Sequence, residues 1–299
     1  MFEIADRLLA AVAAGSRLAV ATAVSIDGSA PRTVGTSMAF DGMSVIGSIA
    51  GGCVEGAVVD TCELVLADGV TRTVEYGVSD ETAYSVGLTC GGRLRIQVQL
   101  LTDDLVEALR TRREIEVCSG FTERPPVERH LIVFGAMEFS AALSTAAQVL
   151  GYRVTVCDPR PLFMTPERFP GADVIVAWPT AWFETAEVDA RTVICVLSHD
   201  ARFDAELVAL ALASPAGFVG AMGSRRTHDR RVASLRERGV AEESIARLRS
   251  PIGLDLGGST VEETAVAILA EVIAARSGAS ALPLSATSGT IHRLSLLVE

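Results

Sequence analysis

Two cysteines stand in unusually bare surroundings. Cys53 sits in GSIAGGCVEGAVVD, residues 47–60, behind Gly51 and Gly52, with Glu55 two positions on. Cys90 sits in LTCGGRLRIQVQ, directly before Gly91 and a second glycine. A packed core thiol does not need glycines, whereas a thiol that another molecule approaches closely does. Helical apolar spacing begins near Gly52 and runs to about Ala67, so Cys53 falls at a helix start, where unpaired N–H groups favour thiolate. Thiolate attacks, carries sulfur or binds a soft metal, which makes Cys53 both a catalytic and a metal-binding candidate. Glu55 is either an acid or base beside it or a carboxylate that favours the helix start. The plain alternative is two tight turns around buried, inert cysteines. Cys62, Cys118, Cys157 and Cys195 lie in apolar or terminal segments and read as packing.

A second group of candidates lies further along. FGAMEFSAAL follows the strand-like HLIVFG, where a dinucleotide fingerprint wants Gly-x-Gly-x-x-Gly/Ala. Gly135 is present, but Met137 and Ser140 occupy the other two glycine positions. A methionine there obstructs the approach of a pyrophosphate, so NAD(P) is not the expected cofactor. Asp158 ends the next strand at the place of a ribose-binding acid, although Asp is also a common strand terminator. His199, in SHD, ends another strand, where a proton carrier or a cap both fit. Ser224 caps a basic helix that opens with Arg225 and Arg226. That helix start reads either as an anion site or as a solvated basic face, and arginines in a first turn oppose the helix dipole. Asp255 is a polar candidate in the glycine-bearing connection PIGLDLGG.

The elements that must position these groups fall into two regions. In the first, LAVATAVSI is a strand, SMAF and SVIGSI flank a DG turn, and TRTVEYGV and RLRIQVQLL are further strands. TDDLVEALRTRRE is a short helix with Thr102 or Asp103 as N-cap. The second region alternates strand and helix, which implies a parallel sheet covered on both faces. Its last helix, TVEETAVAILAEVIAARSG, places Ser259 and Glu262 at capping-box spacing. The expected fold class is α/β: an N-terminal mixed α+β domain over 1–118, a linker over 119–129, a Rossmann-like doubly wound domain over 130–278 and a small polar tail over 279–299.

Composition bounds the function classes. The 299 residues are 49% hydrophobic and 21% charged, enough for a sizeable core. A formal charge of −11 argues against nucleic acid as a partner. No apolar run approaches the roughly eighteen residues of a membrane span. MFEIADRLLAAVAAG carries acidic residues where an export signal needs positive charge, and reads as an amphipathic helix. Six cysteines without a CxxC fit a reduced, cytoplasmic compartment.

The combination of DGSAPRTVGTSMAF, GSIAGGCVEGAVVD and LTCGG resembles the N-terminal domain of the xanthine dehydrogenase accessory protein (XdhC/CoxI) family. LIVFGA, GYRVTVCDPRP, LSHD, FVGAMGSRRTHDRR and PIGLDLGGSTVEETAVAILAEVIAAR resemble that family's C-terminal Rossmann domain. The resemblance implies a molybdenum cofactor chaperone. Such a protein transiently binds the cofactor, protects it while a terminal sulfido ligand is installed, and delivers it to a xanthine dehydrogenase-type molybdenum hydroxylase. The implied partners are that client, a cysteine desulfurase and a second copy of the chain in a homodimer. The matched positions are Cys53, Glu55, Cys90 and the loop Ser29-Ala30-Pro31-Arg32, with Arg32 and Glu55 shaping the surroundings of Cys53. The Rossmann turn departs from the pattern: relatives carry a GAGH-type sequence where this chain has Gly-Ala-Met-Glu. The competing readings are an NAD(P)-dependent oxidoreductase, a metal- or sulfur-handling protein without pterin, and a scaffold component.

Overall fold

The computed structural model describes residues 1–28, 32–52, 54–77 and 92–289. Its contacts divide the chain into two compact units, Met1–Val127 and Glu128–Glu299.

The first unit is built on a five-stranded antiparallel sheet. Its strands are β1 (Ala19–Asp27), β2 (Ser37–Phe40), β3 (Val45–Gly47), β4 (Arg72–Tyr76) and β5 (Arg93–Leu100), in the spatial order β3-β2-β1-β5-β4. Alternation decides which side chains go where. Ala19, Ala21, Ala23, Leu94, Ile96 and Val98 pack against Val58, Cys62 and Val65 of helix α2 (Glu55–Asp68). Val20, Val24 and Ala39 face the other way, onto Leu8 of α1 (Ala5–Ala13) and Leu109 of α3 (Asp103–Arg110). The Thr102 side chain caps α3, accepting from the Leu105 N–H.

The stretch 119–129, expected from its polar residues to be a linker, begins as structure. β6 (Ile115–Cys118) and β7 (Phe121–Glu123) form a hairpin, and Ile115 and Val117 are buried in the same core layer as α1. Glu123 at the end of that hairpin accepts from the Met1 ammonium at 2.5 Å and from the Phe2 N–H at 2.9 Å. A buried carboxylate needs such a partner, and this one ties the hairpin to the first unit.

The second unit is a six-stranded parallel sheet. Its strands are β8 (Arg129–Phe134), β9 (Tyr152–Asp158), β10 (Asp173–Val176), β11 (Val193–Val196), β12 (Phe218–Ala221) and β13 (Leu248–Arg249). The order β10-β9-β8-β11-β12-β13 is the doubly wound order 3-2-1-4-5-6. Helices α4 (Glu138–Val149) and α9 (Val261–Ser277) cover one face, with Leu143, Ala147, Ile268 and Val272 buried against Val133, Val154 and Val156. Helices α5 (Pro179–Phe183), α6 (Asp204–Ala213), α7 (Arg225–Glu237) and α8 (Glu242–Ile245) contribute to the other face, which buries Ile132, Phe134, Ile194 and Val196. The capping box of α9 lies one residue later than its sequence suggests. Thr260 accepts from the Glu263 N–H, and the Glu263 carboxylate accepts from the Thr260 N–H. Hydroxyl and glutamate recur in adjacent registers here, and the three-residue spacing alone does not choose between them.

Candidate functional site

Strand direction in the first unit gathers the motif-bearing segments. β1, β3 and β4 all run toward one end of the sheet, because each is antiparallel to its hydrogen-bonded neighbour β2 or β5. The connection after β1 carries the Ser29–Arg32 loop, that after β3 carries Gly51, Gly52 and Cys53, and that after β4 carries Cys90 and Gly91. All three therefore leave the sheet at the same end. Cys53, Cys90, Gly91 and residues 29–31 themselves lie outside the described residues.

Glu55 organises the turn that leads into α2. Its Oε1 accepts from the Ser48 hydroxyl at 2.8 Å and from the N–H groups of Ile49 and Ala50 at 3.2 and 2.9 Å. Its Oε2 accepts from the N–H groups of Gly52 and Val54 at 2.8 and 3.2 Å. Partial burial works against the charged carboxylate, but the Ala50 N–H, the Ser48 hydroxyl and the other donors outweigh it and hold the pKa at about 2. Of the two roles open to Glu55 from the sequence, that environment suits the carboxylate that supports the helix start better than the acid or base. It also changes the electrostatics of the helix start, because the N–H groups of Gly52 and Val54, on either side of Cys53, already serve a carboxylate.

Gly51 and Gly52 have φ of 76° and 112°, left-handed values that a side chain resists. Both are exposed, and a Cβ added at either would meet nothing within 4 Å. The backbone conformation, with open space around it, accounts for the two glycines. Arg32 pairs with Glu3 at 2.6 Å, and Glu3 also accepts from the Ser37 N–H at 3.0 Å. Arg32 is thus engaged at the foot of β2, while Glu55 serves its own turn.

A polar cleft of about 260 Å³ opens where β1, β4 and β5 meet, lined by Ser25, Asp27, Glu75, Gly77, Arg93 and Arg95 among others. Asp27 stands opposite Arg93, and Glu75 opposite Arg95. Arg93 and Arg95 are exposed while Leu94 and Ile96 between and beyond them are buried, so the strand's alternation presents both guanidinium groups on one face. The sequence reading missed this pair. Their regular spacing in RLRIQVQ was the available signal.

The candidates of the second unit lie at the carboxyl edge of its parallel sheet, where open α/β sheets bind ligands. Gly135 follows β8, Asp158 ends β9, His199 follows β11, and Ser224 and Arg225 follow β12. Gly135, with φ of 110°, packs so closely on the segment after β11 that a Cβ would come within 2.8 Å of the Ser198 N and 3.0 Å of its Cα. Ser140, at the third glycine position of the fingerprint, is fully buried and donates to the Gly135 carbonyl at 2.5 Å. The Ala136 N–H donates to Asp158 Oδ2, and Arg160 holds both Asp158 oxygens at 2.8 Å. Burial raises the Asp158 pKa, but the Arg160 guanidinium and the Ala136 and Arg160 N–H groups outweigh it and leave it below the usual range. His199 and Arg225 are exposed, Ser224 caps α7 by accepting from the Thr227 N–H, and Asp255 is exposed in its connection.

Cys62 and Cys157 are buried with pKa values pushed up to about 12 by desolvation, and Cys195 is raised by the same cause. They are protonated thiols in the core. Among the described residues no group of three His, Cys, Asp or Glu side chains is placed to hold a metal ion.

Both units match known proteins. Residues 11–77 match the model of the XdhC and CoxI family, and residues 131–272 match the XdhC Rossmann domain. The chain belongs to the XdhC and CoxI family. Among curated relatives of this XdhC/CoxI chain, Uncharacterized protein YqeB of Escherichia coli is 28% identical over 87% of the chain and 44% of YqeB. The chain thus spans less than half of that relative's length. Molybdenum cofactor insertion chaperone PaoD of Escherichia coli is 25% identical, with 89% of the chain and 86% of PaoD covered. A Bacillus subtilis protein described as a probable xanthine dehydrogenase subunit is 24% identical, with coverage of 86% and 92%. A crystal structure described as a xanthine dehydrogenase from Bacillus halodurans shares the fold, with a TM-score of 0.73, 21% identity, and 91% of this chain and 95% of that one covered. Among the described residues of the XdhC/CoxI chain, no helix is long and apolar enough to cross a membrane.

Proposed function

We propose that this chain is an accessory protein that binds molybdenum cofactor and passes it to a xanthine dehydrogenase-type molybdenum hydroxylase. The supporting observation is that the glycine turn clasped by Glu55 and the Arg93–Arg95 cleft lie at the same end of the first unit's sheet, the turn leading into α2 on one face and the guanidinium groups on the other. The relatives PaoD and the Bacillus subtilis xanthine dehydrogenase protein support the cargo and the client.

The chemistry is that of a carrier. Molybdenum cofactor is an anionic pterin with a dithiolene and a phosphate end. Arg93 and Arg95 supply guanidinium groups suited to the phosphate, and a thiolate at Cys53, next in the chain after the exposed Gly51 and Gly52, suits a soft metal centre. One thiolate suffices for this contact, because the dithiolene already holds the molybdenum. Cys53 either contacts the molybdenum or relays sulfur from a cysteine desulfurase. A carrier binds and releases without turnover, so binding the cargo tightly in one state and weakly in another is its task.

The alternative, an NAD(P)-dependent oxidoreductase, draws on the doubly wound strand order. Two contacts weigh against it: the Ala136 N–H points at Asp158 rather than at a phosphate, and Arg160 occupies the carboxylate that a ribose would need.

The test is anaerobic incubation of the purified chain with molybdenum cofactor, desalting, and fluorescence of the oxidised pterin. Wild type should retain about one equivalent, and Cys53→Ser and Arg93→Gln each should retain less. Retention unaffected by either substitution would move the site away from this end of the sheet. No retention by wild type, with saturable NAD(P)H binding instead, would favour the oxidoreductase.

A further inference from the structure

The opposite edge of the second unit's sheet carries a cleft that the cofactor-handling reading does not use. It lies where β8, β9, β11 and β12 begin and α9 ends, and has a volume of about 310 Å³. Val193, Phe218 and Val272 form apolar wall, and Arg129, Arg191, Arg276 and Tyr152 bring polar groups to it. A volume of this size is at the lower end of small-molecule sites.

Two of the three guanidinium groups here have no ion pair among the described residues. Arg191 is paired with Asp189 at 2.5 Å. Arg129 and Arg276 have no such partner among the described residues. Burial of Arg129, helped by the nearby charge of Arg276, lowers its pKa below the usual guanidinium range. Arg276 donates to the Tyr152 hydroxyl oxygen at 3.2 Å, which leaves the hydroxyl proton of that buried tyrosine available to an acceptor in the cleft. The end of α9 favours one cation through the helix dipole, which accounts for Arg276 alone. Two like charges held together in a partly desolvated cleft are costly unless an anion joins them.

We infer that this cleft binds a small phosphate monoester, with Arg129 and Arg276 gripping the dianion, the Tyr152 hydroxyl donating to it, and the organic portion lying against Val193, Phe218 and Val272. Two guanidinium charges match a dianion, and guanidinium forks match phosphate oxygens. Open α/β sheets bind their principal ligands at the other edge, so this is a second, effector-type site, independent of the cargo reading.

Both tryptophans, Trp178 and Trp182, lie in the second unit, so their fluorescence follows its thermal unfolding. The full chain is heated with increasing n-butyl phosphate, with inorganic phosphate, and with chloride at matched ionic strength. The expected result is a saturable rise in midpoint with the ester, a smaller one with inorganic phosphate and none with chloride. Arg276→Gln, at an exposed position that tolerates exchange, should weaken the ester about tenfold to a hundredfold. Arg129→Gln should do the same, and Arg110→Gln, in the other unit, should change nothing. Equal shifts with ester and inorganic phosphate would mean that the apolar wall takes no part, and would overturn the monoester assignment. No shift in wild type, or one undiminished in Arg276→Gln, would overturn the site.

Discussion

Replacing Glu55 with Gln tests the reading of the cysteine turn as a clasped structure. The carboxylate's pKa falls from an ordinary 4.5 to about 2. Taken whole, such a shift is worth ~3 kcal/mol by linkage. Glu55 is only partly buried, and the solvent that reaches it screens its interactions, so we expect ~1 to 1.5 kcal/mol to survive. The sign is fixed by the direction of the shift. A depressed carboxylate pKa stabilises the fold above the unfolded-state value, and the contribution is lost as pH falls through the folded one. Wild type should therefore exceed Glu55→Gln by that amount at pH 7, with the advantage declining below about pH 4.5 and largely gone near pH 2. Neither tryptophan lies in the first unit, so the readout is urea titration followed by hydrogen exchange of the α2 amides from Val58 to Val65. Subtracting the variant's curve removes other titrating carboxylates such as Asp68, also held at about 2 by Arg72. Equal stability at pH 7, or a difference that does not change with pH, would refute the clasp.

Further outcomes follow from particular contacts. Gly135→Ala combines a left-handed φ with a backbone clash at Ser198 and should destabilise the second unit by ~3 kcal/mol, read from tryptophan fluorescence. Arg231 is fully buried and grips both Asp204 oxygens, at 2.8 and 2.9 Å, as well as the Ser250 hydroxyl and the Met222 carbonyl. Arg231→Met strands that carboxylate and should cost ~3 to 5 kcal/mol in the same assay. The thiols of Cys62 and Cys157 should resist iodoacetamide at pH 8 in the native chain and react in urea, followed by mass spectrometry of their peptides, because burial keeps them protonated.

Local pattern carried much of this fold. The alternation of RLRIQVQLL marked β5, and the apolar spacing of residues 204–213 marked α6 with the observed limits. Pattern failed where the deciding contacts are distant. Residues 119–123 looked like linker because they are polar, and the contacts that hold Glu123, the Met1 ammonium and the Phe2 N–H, come from the far end of the unit. Glu55 was visible as a residue near Cys53, but its role depends on five donors converging through the turn, which spacing does not encode. The effector cleft was still less legible: Arg129, Arg191 and Arg276 are scattered through the chain and meet only because parallel strands begin at a common edge.

The antiparallel order of the first unit also separates its two ends by what holds them. At one end emerge the three connections that carry the candidate chemistry. At the other, the β2–β3 turn is fastened by Asp41, which accepts from Met43 and Ser44, and α2 stops at Gly69 in a left-handed cap. An exchange in the former need not disturb strand register. The same separation offers a practical handle. Met43, 94% exposed in the fastened turn, can carry a dye or a surface tether that leaves the cysteine-bearing end free to meet a partner.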